Sequence, residues 1–339
     1  MARRRRALFW TSWVLGLGLI LSGCAARTVA MEHPATGITP IVAVDAPAST
    51  LTLNLAPSET PTLRATTAPS PTPVLPTLTV TPPPPTLAPS ATPAPTSTPT
   101  AGPTPDGTLR SVEIPILMYH YVSAPPGGAD SVRKDLSVSP ERFESHLAYL
   151  RDSGYHTISL DDMMYALTQG RPLPEKPVIL TFDDGYVDNY LNAFPLLSRY
   201  GMVGNFFIIT DFVNDGRPEY MTWPQIEQMA AAGQHFGSHS RNHPDLRGKP
   251  LDYLVWQALG GAEAIQKHLG YHPRWIAYPS GDYDAQTIAV YKSANYWGGL
   301  TISPGTTERL ADIFELPRLR VRGAYDAADL AALLAMTWQ

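Results

Sequence analysis

Two adjacent carboxylates, Asp183 and Asp184, end an apolar run in the sequence PVILTFDDGY. The run from Val178 to Phe182 is typical of a strand that is buried on both faces. Because like charges at a strand end repel each other, the pair indicates a cation, a proton or a helix N-terminus close by. The alternative interpretation is that one aspartate only caps the helix that follows.

Two histidines four residues apart form the second candidate group. His239 and His243 stand in the sequence GSHSRNHP, where Gly237 and Pro244 indicate a tight turn that leaves a strand. Two imidazoles gathered with one carboxylate make a set that suits a divalent metal ion and leaves positions for water and substrate. Structural histidines are the alternative. A third polar stretch, AYPSGDYD at 277–284, follows in a similar position.

The elements that carry these residues alternate between strand and helix. The sequence predicts strands over 114–120, 155–160, 178–182, 204–210, 235–238, 275–278, 296–302 and 318–321. It predicts helices over 140–153, 161–169, 187–200, 222–232, 251–269, 285–293 and 326–336. Such alternation predicts an α/β fold with a parallel sheet, and this many repeats favour closure into a barrel, where chemistry gathers at the C-terminal strand ends. The residues that we place at such ends are His120, Asp183, Asp184, His239 and Tyr278.

Three motifs together resemble the polysaccharide deacetylase family, which has NodB homology and is also known as carbohydrate esterase family 4. They are TFDDG at 181–185, HSRNH at 239–243 and YPSG at 278–281. The similarity extends over about residues 114–321, and the first two motifs in this order and spacing are quite specific. The resemblance implies an irregular (β/α)7 barrel, which agrees with the alternation of the predicted elements.

The resemblance also implies a role for each matching residue. Asp183 resembles the general base, and the metal ligands correspond to Asp184, His239 and His243. Tyr278 resembles the residue whose backbone N–H helps to hold the oxyanion. The implied cofactor is a divalent metal ion, with zinc as our first choice and cobalt, nickel or iron as alternatives, because imidazole and carboxylate suit all four.

Two features of the family pattern are missing. Many members carry an arginine just before the Tyr-Pro motif to orient the base, where this chain has Ile276 and Ala277. Many also end with a Leu-x-His motif that supplies the general acid, and the matching sequence ELPRLRV contains no histidine. The opening MYH resembles a branch that acts on poly-N-acetylglucosamine, so His120 is our candidate for the acid or for a residue that shapes the substrate pocket, with a structural histidine as the alternative. Arg318 is a candidate to orient Asp183, with plain surface charge as the alternative.

Aromatic residues near the predicted mouth of the site are candidates to stack on sugar rings. Core positions are the alternative for each of them. These residues are Tyr186, Trp223, Tyr278, Tyr283 and Trp297.

The first third of the chain is unlike the rest. Arg3–Arg6 precede an apolar run and the sequence LSGC, which resembles the lipobox of bacterial lipoproteins. We therefore expect a signal peptide over 1–23 and a lipidated Cys24, an uncleaved membrane anchor being the alternative. Residues 24–108 are rich in Pro, Thr and Ser and predict a disordered linker, because they cannot bury enough apolar area to offset the ordering entropy. The deacetylase-like domain is expected over 109–339.

Composition narrows the choice of partners. The net charge of −5 and the pI near 6.0 give no indication of nucleic acid binding. The one cysteine excludes an internal disulfide framework and a Cys-rich zinc site. We expect an extracytoplasmic lipoprotein that is anchored to the membrane through Cys24 and faces a polysaccharide substrate. No motif encodes the oligomeric state, and a monomer is our expectation.

Three functions remain open at this point. The first is a metal-dependent deacetylase that removes N-acetyl groups from polysaccharide containing N-acetylglucosamine, such as exopolysaccharide, peptidoglycan or a chitin-like polymer, at the cell surface. The second is an acetyl-ester hydrolase that acts on a xylan-like glycan through the same tetrahedral oxyanion. The third is a non-catalytic glycan-binding module, which the missing acid favours and the intact ligand set opposes.

Overall fold

A computed structural model describes residues 102–338 of the chain. The predicted signal peptide, Cys24 and the linker up to residue 101 lie outside the described residues. The last part of the predicted linker, 102–108, contacts the domain, because the backbone N–H of Asp106 donates to the carbonyl oxygen of Thr168 at 2.9 Å. Within residues 102–338, no helix combines the length and the hydropathy that crossing a bilayer requires.

The described residues form ten strands and nine α-helices. The strands are β1 (Ser111–Glu113), β2 (Ile116–Tyr119), β3 (His156–Thr157), β4 (Pro177–Phe182), β5 (Asn205–Ile208), β6 (His235–Ser238), β7 (Trp275–Ala277), β8 (Gly298–Leu300), β9 (Thr307–Arg309) and β10 (Leu319–Arg320). The helices are α1 (Ser131–Leu136), α2 (Pro140–Asp152), α3 (Leu160–Gln169), α4 (Phe194–Tyr200), α5 (Thr210–Asn214), α6 (Trp223–Ala231), α7 (Leu251–Leu269), α8 (Ala285–Ser293) and α9 (Ala327–Ala335).

A curled parallel sheet carries the site. Its strands follow the order β10-β2-β4-β5-β6-β7-β8, and β3 pairs with β4 off this path. Leu316 forms a parallel bridge with Leu300 of β8 shortly before the chain enters β10, so one segment connects the two ends of the path. The predicted irregular barrel of alternating strands and helices is therefore confirmed.

Alternation along β4 determines which side chains enter the barrel. Phe182 stacks on Tyr119 of β2 at 5.4 Å and on Phe206 of β5 at 4.6 Å between ring centroids, and the edge of Phe143 from α2 covers it. Because successive side chains of a strand point to opposite faces, the residue after Phe182 points into the barrel. That residue is Asp183, which the strand thus delivers to the interior.

Short elements account for most differences from the predicted boundaries. The limits of α7 and α8 match the prediction, but the helix predicted over 187–200 begins as a π-helical turn, Asn189–Ala193, before α4. The strand predicted over 155–160 shrinks to β3, because Ser159 and Asp162 form the capping box of α3. The antiparallel pair of β1 with β9, together with α1 and α5, was not predicted.

We predict that Gly237→Ala destabilises the domain. A Cβ at Gly237 would lie 2.6 Å from Cε1 of Phe207 and 2.8 Å from the carbonyl oxygen of Trp275, so β6 has no room for a methyl group there. Overpacking of this kind typically costs about 1–3 kcal/mol of unfolding free energy, which urea denaturation measures. At the control position Gly127, a Cβ would meet no described atom within 4 Å. Equal losses in Gly237→Ala and Gly127→Ala would contradict the prediction.

Candidate active site

Three potential metal ligands converge at the C-terminal ends of β4 and β6. The Oδ1 atom of Asp184 lies 3.3 Å from Nε2 of His239 and 3.5 Å from Nε2 of His243. The three ligand atoms all lie within 4.8 Å of one another, and within residues 102–338 no other group of three or more His, Cys, Asp or Glu side chains has this arrangement. The two motifs that are some fifty residues apart in sequence therefore share one location.

Unusual backbone conformations place these side chains. Asp184, Ser240 and His243 have φ angles of 73°, 63° and 58°, in the left-handed region that residues other than glycine rarely adopt. Gly185 is also left-handed, and a Cβ there would lie 2.9 Å from Cγ2 of Ile208. The chain therefore turns sharply after each strand, and the turns direct the carboxylate and the imidazoles toward one another.

Hydrogen bonding fixes the tautomer of the first histidine. Nδ1 of His239 lies 2.7 Å from the carbonyl oxygen of Ala277, which can only accept, so Nδ1 carries a proton and Nε2 is the ring atom that faces Asp184.

Electrostatics favour a positive charge at this point. Burial would raise the pKa of Asp184, but the surrounding histidines hold it well below its usual range, so the carboxylate is ionised. Burial disfavours charged His239, yet the hydrogen bond to Asp184 raises its pKa above the ordinary value. For His243, burial and the neighbouring His239 lower the pKa. The site thus attracts either a proton or a metal ion beside Asp184.

Asp183 is paired with a buried arginine. Nη1 and Nη2 of Arg318 donate to the two carboxylate oxygens of Asp183, each at 2.8 Å, and Nε of Arg318 donates to the carbonyl oxygen of Thr301 at 2.7 Å. Burial alone would raise the pKa of Asp183, but the guanidinium of Arg318 brings it below the usual value. Arg318 is only 1% exposed, so the interpretation as surface charge is wrong. The carboxylate is therefore ionised and fixed in orientation.

The role predicted for the backbone N–H of Tyr278 is wrong. That N–H donates to the carbonyl oxygen of Leu300 at 3.1 Å and so continues the pairing of β7 with β8. The side-chain hydroxyl is also engaged, because it donates to the carbonyl oxygen of Phe314 at 3.0 Å. Tyr278 still lines the cavity, but it has no free N–H for an oxyanion.

Ser280 offers the donor that Tyr278 lacks. It lines the same cavity with φ 55°, inside a 3-10 turn over Pro279–Gly281. Its backbone N–H has no hydrogen-bond partner among the described residues. The sequence held a signal for this donor, since a proline that opens a helical turn leaves the next N–H unpaired.

His120 faces the acidic pair from the end of β2. Its Nε2 lies 4.0 Å from Oδ2 of Asp183, and 15% of its side chain is exposed. Burial lowers the pKa of His120, although Asp184 and Asp183 oppose this shift. His120, both aspartates and the two site histidines line one cavity of about 460 Å³.

The structure does not support sugar stacking for three of the aromatic candidates. Tyr186 lines the cavity, but Tyr121 and Tyr220 stack on its ring at centroid distances of 3.6 and 5.2 Å. Trp223 and Trp297 are 8% and 6% exposed and do not line the cavity. These rings pack against protein, as the core alternative states.

The chain is similar in sequence to polysaccharide deacetylases. The profile of the family described as polysaccharide deacetylase matches residues 170–298. YxkH of Bacillus subtilis, whose name assigns it provisionally to the polysaccharide deacetylases, is 32% identical over 227 residues, which cover 67% of this chain and 78% of YxkH. The poly-beta-1,6-N-acetyl-D-glucosamine N-deacetylase of Escherichia coli is 31% identical over 142 residues, and these span 36% of this chain but only 21% of that protein.

Solved structures show the same likeness. The deacetylase PplD of Streptococcus pyogenes, determined in complex with acetate, superimposes with a TM-score of 0.63 at 29% identity, covering 67% of this chain and 100% of PplD. IcaB from Ammonifex degensii superimposes with a TM-score of 0.57 at 25% identity, covering 66% of this chain and 97% of IcaB.

We predict that Arg318→Met strongly destabilises the domain. Removing the guanidinium leaves Asp183 as an uncompensated buried charge, which typically costs about 3–5 kcal/mol of unfolding free energy. The matched control is Arg322→Met, because Arg322 pairs with Asp135 while 53% of its side chain is exposed, and such a pair contributes about 0–1 kcal/mol. Urea denaturation of both variants is the measurement. An Arg318→Met protein as stable as Arg322→Met would contradict the prediction.

Proposed function

Because the chain belongs to the polysaccharide deacetylase family, we propose that it removes N-acetyl groups from a polysaccharide that contains N-acetylglucosamine, in a metal-dependent hydrolysis at the cell surface. Members of this family are hydrolases that act on carbon–nitrogen bonds other than peptide bonds. The observation that carries the proposal is the convergence of Asp184, His239 and His243 beside the ionised Asp183 in one cavity.

The three ligand residues fit a divalent cation. Two imidazole Nε2 atoms and one carboxylate oxygen converge, and the hydrogen bond from His239 to Ala277 is the kind of outer contact that orients a metal-binding imidazole. Zinc is the first candidate, and cobalt, nickel or iron would suit the same donors. When bound, such an ion supplies Lewis acidity toward the acetamide and lowers the pKa of water.

Three other residues of the cavity supply the base, the oxyanion donor and the acid of the reaction. Asp183 accepts a proton from the attacking water, since Arg318 keeps its carboxylate ionised and oriented. The free N–H of Ser280 donates to the developing oxyanion, and loss of such a donor typically costs about 10² to 10³ in rate. The proton that Asp183 takes from water passes to His120, whose Nε2 lies 4.0 Å from Oδ2 of Asp183, and His120 gives it to the leaving amine, in place of the family's missing Leu-x-His residue.

The names of the relatives and the size of the cavity support the substrate class. The Escherichia coli relative is named as a poly-beta-1,6-N-acetyl-D-glucosamine N-deacetylase, and the structure of PplD holds acetate, the product that this hydrolysis would release. The volume of about 460 Å³ lies within the usual range of roughly 300–1,000 Å³ for small-molecule sites.

We also propose a domain order that places the enzyme outside the cytoplasm. A signal peptide over 1–23 would be removed, Cys24 would carry the lipid, and the proline-rich linker over 24–108 would separate the membrane from the domain at 109–339. An extended proline-rich segment spans about 3.1 Å per residue, so the linker would allow the site to reach polymer away from the membrane.

We predict that acetate release requires the metal ion. Purified domain should release acetate from N-acetylglucosamine oligomers, lose this activity with a chelator and recover it with zinc. Asp184→Asn should lower both the bound metal, measured by elemental analysis, and the acetate release, whereas Asp215→Asn, at a position whose side chain is 56% exposed, should change neither. Release from acetylxylan alone would replace the amide substrate with an ester, and absence of release from every acetylated glycan would overturn the enzymatic proposal.

We predict that the mature protein begins at a lipidated Cys24. Mass spectrometry of the N-terminal peptide from membranes should show a diacylglycerol adduct on the sulfur of Cys24. Cys24→Ala serves as the control and should abolish this adduct. An unmodified Cys24 in the membrane-bound protein would refute the lipoprotein proposal without affecting the deacetylase proposal.

A further inference from the structure

A buried asparagine holds the backbone of His120. Nδ2 of Asn189 donates to the carbonyl oxygen of His120 at 2.9 Å and to Oδ1 of Asp188 at 3.1 Å. Asn189 is 0% exposed, and its own Oδ1 has no hydrogen-bond partner among the described residues. A buried amide with one unsatisfied end contributes little to stability, because the desolvation of that end opposes the bonds that the other end makes. Its presence therefore calls for another explanation.

The carbonyl of His120 needs this partner because the sheet ends there. The N–H of Val321 donates to the carbonyl oxygen of Met118 at 3.1 Å, which is the last such bond on this side of β2. If β10 continued, the next N–H on this side, that of Gly323, would donate to the carbonyl oxygen of His120. It donates instead to the carbonyl oxygen of Asp135 at 2.7 Å. The side chain of Asn189 thus supplies the hydrogen bond that a continued β10 would give to His120, whose side chain enters the cavity.

The local helix geometry delivers Asn189 to this point. The N–H of Phe194 donates to the carbonyl oxygen of Asn189, five residues back, so the chain forms a wide π-helical turn before α4. Turns of this type are rare and occur often at functional sites.

Two further bonds connect the same turn to the chain after His120. Nδ2 of Asn192 donates to the carbonyl oxygen of Val122 at 2.8 Å, and the hydroxyl of Ser123 donates to Oδ2 of Asp188 at 2.6 Å. One turn of helix therefore holds the segment from His120 to Ser123, and Asn189 contacts the end nearest to Asp183.

We propose that Asn189 is a positioning residue for His120 in the hydrolysis. By fixing the carbonyl of His120 at the end of β2, Asn189 sets the direction in which the imidazole enters the cavity. That direction determines the distance between the imidazole and the leaving amine that receives its proton. This inference rests on the proposed function. Misplacement of a reacting group by about 1 Å can reduce a rate by about 10²-fold, so a contact that touches no substrate can still control turnover.

The test is the change Asn189→Leu, which keeps the size of the side chain and removes both the donor and the unpaired oxygen. We expect kcat to fall by at least about tenfold, while KM and bound metal change by less than about twofold. Asn192→Leu is the matched control, with the same chemical change on the same turn at a bond farther from the reacting atoms. It should lower kcat by at most about threefold. A kcat of Asn189→Leu equal to that of the control would overturn the proposal.

A double-mutant cycle separates positioning from a merely structural effect. His120→Ala should lower kcat, and adding Asn189→Leu to it should lower kcat by less than a further twofold or so, because there is no imidazole left to position. An equal loss in both backgrounds would show that Asn189 acts elsewhere and would overturn the proposal. If Asn189→Leu does not fold by circular dichroism, Asn189→Ser takes its place under the same criteria.

The failure of this inference can be distinguished from that of the proposed function. A His120→Ala protein with full kcat would overturn the positioning role, whereas chelator-sensitive acetate release by the wild type would leave the deacetylase intact. Absence of acetate release by the wild type would overturn both.

Discussion

The buried pairing of Asp183 with Arg318 is the interaction on which the site depends. Two adjacent carboxylates at a strand end would otherwise compete for the same positive charge. The guanidinium of Arg318 binds both oxygens of Asp183, and Asp184 therefore faces only the two imidazoles, those of His239 and His243. Because each carboxylate has its own cation or cation site, both can be ionised in an interior where an unpaired charge would be very unfavourable.

This pairing also accounts for the departure from the usual family pattern. The chain has no arginine before its Tyr-Pro motif, and the guanidinium comes instead from the segment that precedes β10. β10 pairs with β2 and β2 pairs with β4, so Arg318 approaches Asp183 from across the barrel interior. The same partner for the base can thus enter from a different strand, because a curled sheet brings several strand ends to one centre.

Sequence reasoning located the ends of the long buried strands and therefore most of the cavity. The apolar run of β4 and the turn after β6 could be predicted because burial and glycine produce strong local patterns in the sequence. Those two patterns identified Asp183, Asp184, His239 and His243. The pair of β1 with β9, the short α1 and α5 and the π-helical turn were not predicted, since each is fixed by tertiary contacts rather than by a periodic pattern. Tyr278 was misassigned because a motif gives residue types without showing which N–H the sheet already uses.

The alternation of β4 has a consequence for how this protein can change over time. Phe182 belongs to an aromatic row against α2, while the next residue lies in the barrel. Insertion or loss of a single amino acid within the strand would reverse which side chains face the barrel interior. The ring of Phe182 would then point into the cavity, and the carboxylate of Asp183 would point toward α2. Point substitutions can alter this strand step by step, whereas a change in its length reverses all its side chains at once. Proteins that share the reaction should therefore vary in the length of their loops but keep the number of residues in β4.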